Sequence, residues 1–159
     1  MRNKQRRETE LADTTYIKRT VEPWVRDHWL KERYGQTFQS QVLPLTGIGE
    51  ADPGQHEFDA VSEDSSIIAA IKGHSFKTAG GNLPSAKFAS LYQELYFLSL
   101  VKAKRRLLMF TNQEMYDDFV KRSKGKVADG IELVYCELPE PMRRQVTTIG
   151  RKASDEMSR

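Results

Sequence analysis

The fold is decided by the stretch Glu57-Phe58-Asp59-Ala60-Val61, followed by Ser62-Glu63-Asp64-Ser65 and then by Ser66-Ile67-Ile68-Ala69-Ala70-Ile71-Lys72. Two segments rich in apolar residues flank four polar residues, which predicts an antiparallel β-hairpin with strands at 56–61 and 66–72. Successive side chains of a strand point to opposite faces, so Ala70 and Lys72 should share a face. Charges such as those of Asp59 and Lys72 are costly in an apolar hairpin unless they meet a partner, so we expect both to face one cleft.

Helical and strand patterns alternate on either side of this hairpin. Residues 1–35 have a helical pattern, in which Pro23 is predicted to begin a second segment and Gly35 to cap the C-terminus. Seven further elements are predicted, namely a strand at 37–45, a loop at 46–55, a helix at 84–104, an apolar strand at 107–111, a helix at 113–122 capped by Asn112, a strand at 131–138 and a polar tail at 139–159.

The resulting order of elements is helix, three strands, helix, strand, helix and strand. This order predicts an α/β fold with a mixed sheet that carries helices on both faces. The short, fully apolar segment 107–111 favours a central strand. A chain of 159 residues is long enough for one domain with a substantial core, which we place at about 16–138.

Composition and charge exclude several classes of protein. No apolar run approaches the ~20 residues that span a bilayer, and Met1–Arg7 has no apolar segment behind it, so we expect a cytoplasmic protein without a membrane partner. The single cysteine, Cys136, lies in an apolar segment and is predicted to be a buried hydrophobe. One cysteine and three scattered histidines do not have the spacing of a zinc site. The net charge of +3 permits nucleic-acid binding without requiring it.

The hairpin with its Asp and Lys, set in this order of elements, resembles the PD-(D/E)xK phosphodiesterase superfamily, which includes many restriction and repair nucleases. The resemblance covers roughly residues 16–138 and implies a restriction-endonuclease-like α-β-β-β-α-β core. Asp59 matches the first acid of the motif and Lys72 matches its lysine. Ala70 stands where the family has its second metal-ligating acid. The resemblance implies DNA as the substrate and Mg²⁺ or Mn²⁺ as the cofactor, and it allows a homodimer.

Hydrolysis of a phosphodiester requires an activated water molecule and neutralisation of the negative charge that develops. A divalent metal ion supplies both, and Mg²⁺ is held by oxygen ligands while it keeps several waters. The resemblance implies that Asp59 and the backbone carbonyl of Ile71 hold the metal. It also implies that Lys72 orients the water or stabilises the transition state. With alanine at position 70, one carboxylate of this set is missing.

The sequence leaves three explanations for Ala70 open. In the first, the second acid is supplied by Glu94, which lies at the edge of the apolar face of the next helix. Glu57 and Glu50 are weaker substitutes. Alternatively, the chain is a naturally inactive nucleic-acid-binding or assembly module, or the alanine is an engineered inactivating change. A plainer interpretation is that Asp59 caps a turn and forms a surface ion pair with Lys72, which would contribute little.

A polar, glycine-containing loop at 73–85 follows the hairpin directly and should overhang the cleft. Donors suited to phosphate lie in this loop and just after it, at His74, Lys77, Thr78, Asn82 and Lys87. The same segment is equally compatible with an ordinary surface connection. It lacks the glycine and lysine spacing of a P-loop, so the sequence favours a nuclease-like domain over a nucleotide-binding one.

Overall fold

The computed structural model describes residues 4, 7, 14–73 and 85–157. Its first long element, helix α1, runs without interruption over residues 14–34. Two stretches of α1, Ile17–Val21 and Val25–Leu30, have π-type hydrogen bonding, and each is followed by a short α-helical piece. Gly35 ends the helix with a φ of 67° and donates its N–H to the carbonyl of Lys31 at 2.9 Å, which confirms the predicted cap.

The prediction that Pro23 begins a separate helix is wrong, because α1 passes straight through it. The residue before it, Glu22, keeps helical dihedral angles (φ −59°, ψ −45°), and so does the residue after it, Trp24. The buried residues of α1 recur every four or five positions, a wider interval than the 3.6-residue α-turn, and they are Ile17, Val21, Val25 and Leu30. Bonding from i to i+5 keeps such a series on one face of the helix.

Five strands form one mixed sheet with the spatial order β1-β2-β3-β4-β5. They are β1 (Phe38–Pro44), β2 (Gln55–Ser62), β3 (Ile67–Lys72), β4 (Arg105–Phe110) and β5 (Ile131–Tyr135). β1, β2 and β3 pair antiparallel, whereas β4 pairs parallel to both β3 and β5. The predicted hairpin, the central position of the apolar strand and the mixed character of the sheet are therefore confirmed.

Helices cover both faces of the sheet, as predicted. Besides α1, the described residues form the α-helices α2 (Ser85–Leu100), α3 (Gln113–Arg122) and α4 (Glu140–Met157), and a short 3-10 turn at Thr46–Ile48. α2 and α3 pack on one face, where Leu91, Leu95 and Phe119 join the core. α1 and α4 pack on the other face, to which α4 contributes the buried Val146. The polar tail is therefore mainly a helix that docks on the sheet.

Local hydrogen bonds set the ends of α2 and α3. The Oδ1 atom of Asn112 accepts from the amide of Met115 at 2.9 Å, which confirms the predicted N-cap of α3. α2 ends at Leu100, not at residue 104 as predicted. The guanidinium of Arg106 donates to the carbonyl of Leu98 at 3.1 Å and so satisfies a free carbonyl of the last turn of α2.

The cysteine and the helices bear on two expectations from composition. Cys136 is fully buried, and burial raises the pKa of its thiol to about 12, so the prediction of an inert apolar cysteine is confirmed. Among the helices that the structure describes, none combines the length and the apolar character needed to cross a membrane.

Candidate functional site

A bulge in β2 changes the direction of the strand at Asp59. The pairing with β1 shifts by one residue there, so that Asp59 and Ala60 together face Ser40. On its other side, the ladder between β2 and β3 ends at Ala60. The carboxylate of Asp59 accepts instead from the amide of Ile71, at 2.7 Å from Oδ2. Bulges of this kind commonly re-aim a side chain beside a functional site, and this one lies next to the point where the pairing of β2 with β3 ends.

A cavity of about 510 Å³ lies at this gap and is called the hairpin cavity below. It is open to solvent on one side and is lined by α1, by the three antiparallel strands and by α2. Its lining residues are Ile17, Lys18, Glu22 and Arg26 from α1, Ser40 from β1, His56, Glu57 and Asp59 from β2, Ile71 and Lys72 from β3, and Glu94 from α2. Asp59, Lys72 and Glu94, which sequence analysis placed in one site, thus line one cavity.

Glu94 lies between two basic side chains. One carboxylate oxygen accepts from Lys72 Nζ at 2.9 Å, and the other lies 3.8 Å from Nε2 of His56. The Lys72 and Glu94 side chains are 17% and 20% exposed, so this ion pair is largely withdrawn from solvent. The ring of His56 stacks on Phe97 of α2 with centroids 3.9 Å apart, which fixes its position next to Glu94.

Ala70 lies on the same side of the sheet as Glu94. It is 1% exposed and belongs to the core formed with Leu91 and Leu95 of α2. The position of the missing acid is therefore filled by an apolar contact, while the carboxylate of Glu94 reaches Lys72 from the helix that covers it.

Glu22 and Arg26 of α1 are functional candidates that the sequence analysis missed. Arg26 Nη1 donates to the backbone carbonyl of Asp59 at 2.8 Å and lies 3.9 Å from the carboxylate of Glu22. Burial, followed by the charge of Asp59, raises the pKa of Glu22 to about 7. A signal was present in the sequence, because Lys18, Glu22 and Arg26 are spaced four residues apart beside the buried stripe of α1.

The close approach of α1 to the end of β3 depends on Gly73. A Cβ atom at this position would lie 2.9 Å from Cγ2 of Ile17 and 3.2 Å from Cγ1 of Val21. A larger residue would force the side chains of Ile17 and Val21 to shift. Glycine directly after Lys72 therefore helps to bring Glu22 to the hairpin cavity.

Two acids of the cavity, Asp59 and Glu22, are poorly neutralised. Burial raises the pKa of Asp59, and this outweighs the lowering effects of the Ile71 amide and of Lys72. Together with Glu22, the site holds two carboxylates whose ionised forms are disfavoured. A bound cation would relieve both, and the available donors are oxygens, which suit Mg²⁺ or Mn²⁺.

Within residues 14–73 and 85–157, no three His, Cys, Asp or Glu side chains are close enough together to hold a metal ion. Mg²⁺ does not require such a group, since it is often bound through one or two carboxylates and keeps several waters. Asp59 and Glu22 are two such carboxylates, since both line the cavity and the charge of Asp59 acts on Glu22, and Glu94 of α2 lines the same cavity. The backbone amide of Ile71 donates to the carboxylate of Asp59. The metal-binding role expected for the Ile71 carbonyl stays a prediction.

The remaining predicted residues lie in different places. Glu57 lines the hairpin cavity but is exposed and accepts from Ser40 Oγ at 2.9 Å, whereas Glu50 is exposed in the loop between β1 and β2. Lys87 lies in the first turn of α2 and is half-buried. The other proposed phosphate contacts lie outside the described residues, and they are His74, Lys77, Thr78 and Asn82.

Comparisons with protein-family models, with curated proteins and with solved structures find no match to this chain. A functional assignment therefore depends on the chemistry of the hairpin cavity and on the sequence pattern around it.

Proposed function

We propose that this chain is a metal-dependent nuclease-like domain that hydrolyses phosphodiester bonds of DNA in the hairpin cavity. The observation that carries the proposal is that Asp59, Lys72 and Glu94 line one cavity at the point where β2 and β3 separate. The element order from α1 to β4 is also compatible with the restriction-endonuclease-like α-β-β-β-α-β core. An Asp, a Lys and an additional acid around one opening match the requirements of metal-assisted phosphodiester hydrolysis.

In this proposal, Asp59 and Glu22 would hold a divalent cation, and Glu94 would replace the acid absent at position 70 from outside the direct ligand set, because no three acids of the described residues lie close enough to bind one ion. A bound Mg²⁺ or Mn²⁺ lowers the pKa of a coordinated water and neutralises charge on the phosphate. The protein supplies orientation, since the Ile71 amide fixes the carboxylate of Asp59 and Arg26 fixes its backbone carbonyl. These contacts hold the bulge in place before substrate arrives.

Lys72 can stabilise the transition state without leaving Glu94. Its ammonium group has three N–H donors, and the contact with Glu94 Oε1 at 2.9 Å uses one of them. Within residues 14–73 and 85–157, Glu94 is the one hydrogen-bond acceptor of this ammonium group, which leaves the other donors for a water molecule or a phosphate oxygen in the cavity. Glu94 is then a positioning residue for Lys72.

A second candidate function is a DNA-binding module that does not cleave. Two observations favour it: alanine occupies position 70, and Lys72 is already paired with a carboxylate. Such a module would bind DNA through its Lys and Arg residues in a salt-dependent way. Cleavage separates the two functions, because only the first requires an intact metal site.

The test is incubation of the full chain with supercoiled plasmid in Mg²⁺ or Mn²⁺, with EDTA as the blank. We expect nicking that disappears in Lys72→Ala and in Glu94→Gln, because both remove a group that lines the cavity. Lys121→Ala is the matched control, since Lys121 is exposed on α3, and it should nick at the wild-type rate. Plasmid binding without nicking by any of these proteins would establish the binding module instead.

A further inference from the structure

One wall of the hairpin cavity carries a charged stripe that the proposed chemistry uses only in part. Lys18, Glu22 and Arg26 follow one another at intervals of four residues along α1, and all three line the cavity. Residues four apart lie on the same side of a helix, so two cations flank one acid on this wall. Glu22 is accounted for as a cation ligand, but Lys18 has no role so far.

The two cations of the stripe have different surroundings. Arg26 is 16% exposed and is held by the carbonyl of Asp59 and by Glu22, so its guanidinium is a fixed part of the wall. Lys18 is exposed, and among the described residues no carboxylate lies within ion-pair distance of its ammonium group. Its charge nevertheless acts on the cavity, since it lowers the pKa of Glu22 and of Asp59.

On the β1–β2 side of the cavity, one exposed acid would repel a polyanion. Glu57 is exposed there, and its carboxylate accepts from Ser40. A DNA strand that brings a phosphodiester to Asp59 therefore meets negative charge on the β1–β2 side and positive charge on the α1 side. The field of the cavity thus favours contact between the strand and α1.

We propose that Lys18 is a substrate-binding residue that contacts a backbone phosphate of DNA next to the phosphodiester held in the hairpin cavity. The proposal rests on the proposed function for the position of the strand. A lysine ammonium is a point charge that suits phosphate without reading base identity, so this contact is independent of DNA sequence. Each neutralised phosphate releases condensed counterions, which gives the contact a measurable salt dependence.

The test is fluorescence-anisotropy titration of the full chain with a labelled DNA duplex in EDTA, where metal-dependent cleavage cannot proceed, over a series of salt concentrations. We expect Lys18→Ala to reduce the slope of log K against log salt by about 0.9, the value for one phosphate contact. Lys31→Ala is the matched control, because Lys31 is an exposed lysine of the same helix that lies outside the cavity lining, and it should keep the wild-type slope. Thermal unfolding of both variants should match that of wild type.

The outcomes separate this inference from the proposed function. A reduced slope in Lys18→Ala, with no plasmid nicking by wild type, would support the phosphate contact and reject catalysis. Nicking by wild type together with an unchanged slope in Lys18→Ala would reject the phosphate contact alone. An equal fall in slope for Lys31→Ala, or no binding of the duplex by wild type, would also overturn the assignment of Lys18.

Discussion

The carboxylate of Asp59 accepts a hydrogen bond from the backbone amide of Ile71 at 2.7 Å, across the point where β2 and β3 separate. A side chain here takes the place of a main-chain partner in the sheet. Ile71 is 3% exposed, so its amide would otherwise be buried without an acceptor. Asp59, which is proposed to hold the metal, is therefore also the hydrogen-bond acceptor of a buried amide where the two strands separate.

This double role predicts that substitutions of Asp59 can abolish activity with or without a loss of stability, depending on whether the new side chain accepts a hydrogen bond. Asp59→Ala should lower the free energy of unfolding by about 1–3 kcal/mol, because it leaves the Ile71 amide unsatisfied. Asp59→Asn keeps an acceptor oxygen and removes a charge that burial disfavours, so it should be at least as stable as wild type at pH 7. Urea denaturation measures the stabilities, and plasmid nicking should be lost in both variants.

The two substitutions control each other, since they share a position and differ in hydrogen bonding. Equal destabilisation of Asp59→Asn and Asp59→Ala would mean that the Ile71 contact is unimportant for folding. Full nicking activity in Asp59→Asn would remove Asp59 from the proposed metal site.

The parts of the fold that follow local patterns could be predicted from the sequence. The alternation of apolar and polar residues around 62–65 located the hairpin, and the apolar segment near Leu108 located the central strand. Asp59 and Lys72 were singled out by the resemblance to the family motif and Glu94 by its place at the edge of a helix face, and all three line one cavity. The helix break predicted at Pro23 is absent, because a helix with π-type turns can accommodate a proline that would end a regular α-helix.

The features that the sequence did not predict depend on long-range packing. Arg26 meets the carbonyl of Asp59 across 33 residues of chain, and this contact requires α1 to cross the sheet at the end of β3. The bulge at Asp59 has no glycine or proline to mark it. Glu22 shows the same limit, since its four-residue spacing from Lys18 and Arg26 indicates a shared helix face but not that this face meets Asp59.

The second prediction concerns the pH dependence that Glu22 imposes on stability. Its pKa is about 7 in the folded protein, against an ordinary value of 4.5, so the folded state binds the extra proton. Stability associated with this group is therefore full below about pH 4.5 and is lost as pH rises through 7. In Glu22→Gln this loss disappears, and the variant should exceed wild type by on the order of 3 kcal/mol at pH 8 while matching it near pH 4.5.

Urea denaturation of both proteins from pH 4.5 to pH 8 measures this difference. Glu32→Gln, an exposed glutamate of the same helix, is the control and should stay within about 0.5 kcal/mol of wild type at each pH. Mg²⁺ should stabilise wild type more than Glu22→Gln at pH 8, because a cation favours the ionised carboxylate. A constant difference between wild type and Glu22→Gln at every pH would contradict the raised pKa.

The third prediction concerns the ion pair between Lys72 and Glu94. Because both side chains are largely buried, removal of one partner leaves the other charge desolvated and unpaired. Lys72→Met and Glu94→Gln should each lower the free energy of unfolding by about 2 kcal/mol, and the double variant should lose less than the two together. The coupling energy from this double-mutant cycle should be about 1–3 kcal/mol.

An exposed pair on α4 provides the comparison for this cycle. Arg144 and Glu140 also form an ion pair, but their side chains are 77% and 58% exposed. Screening by water should limit their coupling energy to about 0.5 kcal/mol. A coupling energy for Lys72 and Glu94 as small as that of the exposed pair would show that Lys72 is not held by Glu94 in solution.

The last prediction tests whether Glu94 replaces an acid at position 70. Ala70 packs under α2 on the same side of the sheet as Lys72 and Glu94, so a glutamate there would bring a second carboxylate towards the same lysine. Ala70→Glu alone should lower stability, because it places a charge in an apolar core beside an existing acid. In a Glu94→Gln background that repulsion is gone, and Ala70→Glu should restore part of the nicking activity that Glu94→Gln removes.

Ala70→Gln in the same background is the control for shape without charge and should restore nothing. If Ala70→Glu with Glu94→Gln folds, as judged by its thermal unfolding, and still nicks no faster than Glu94→Gln, then the two positions are not interchangeable and Glu94 acts only by holding Lys72.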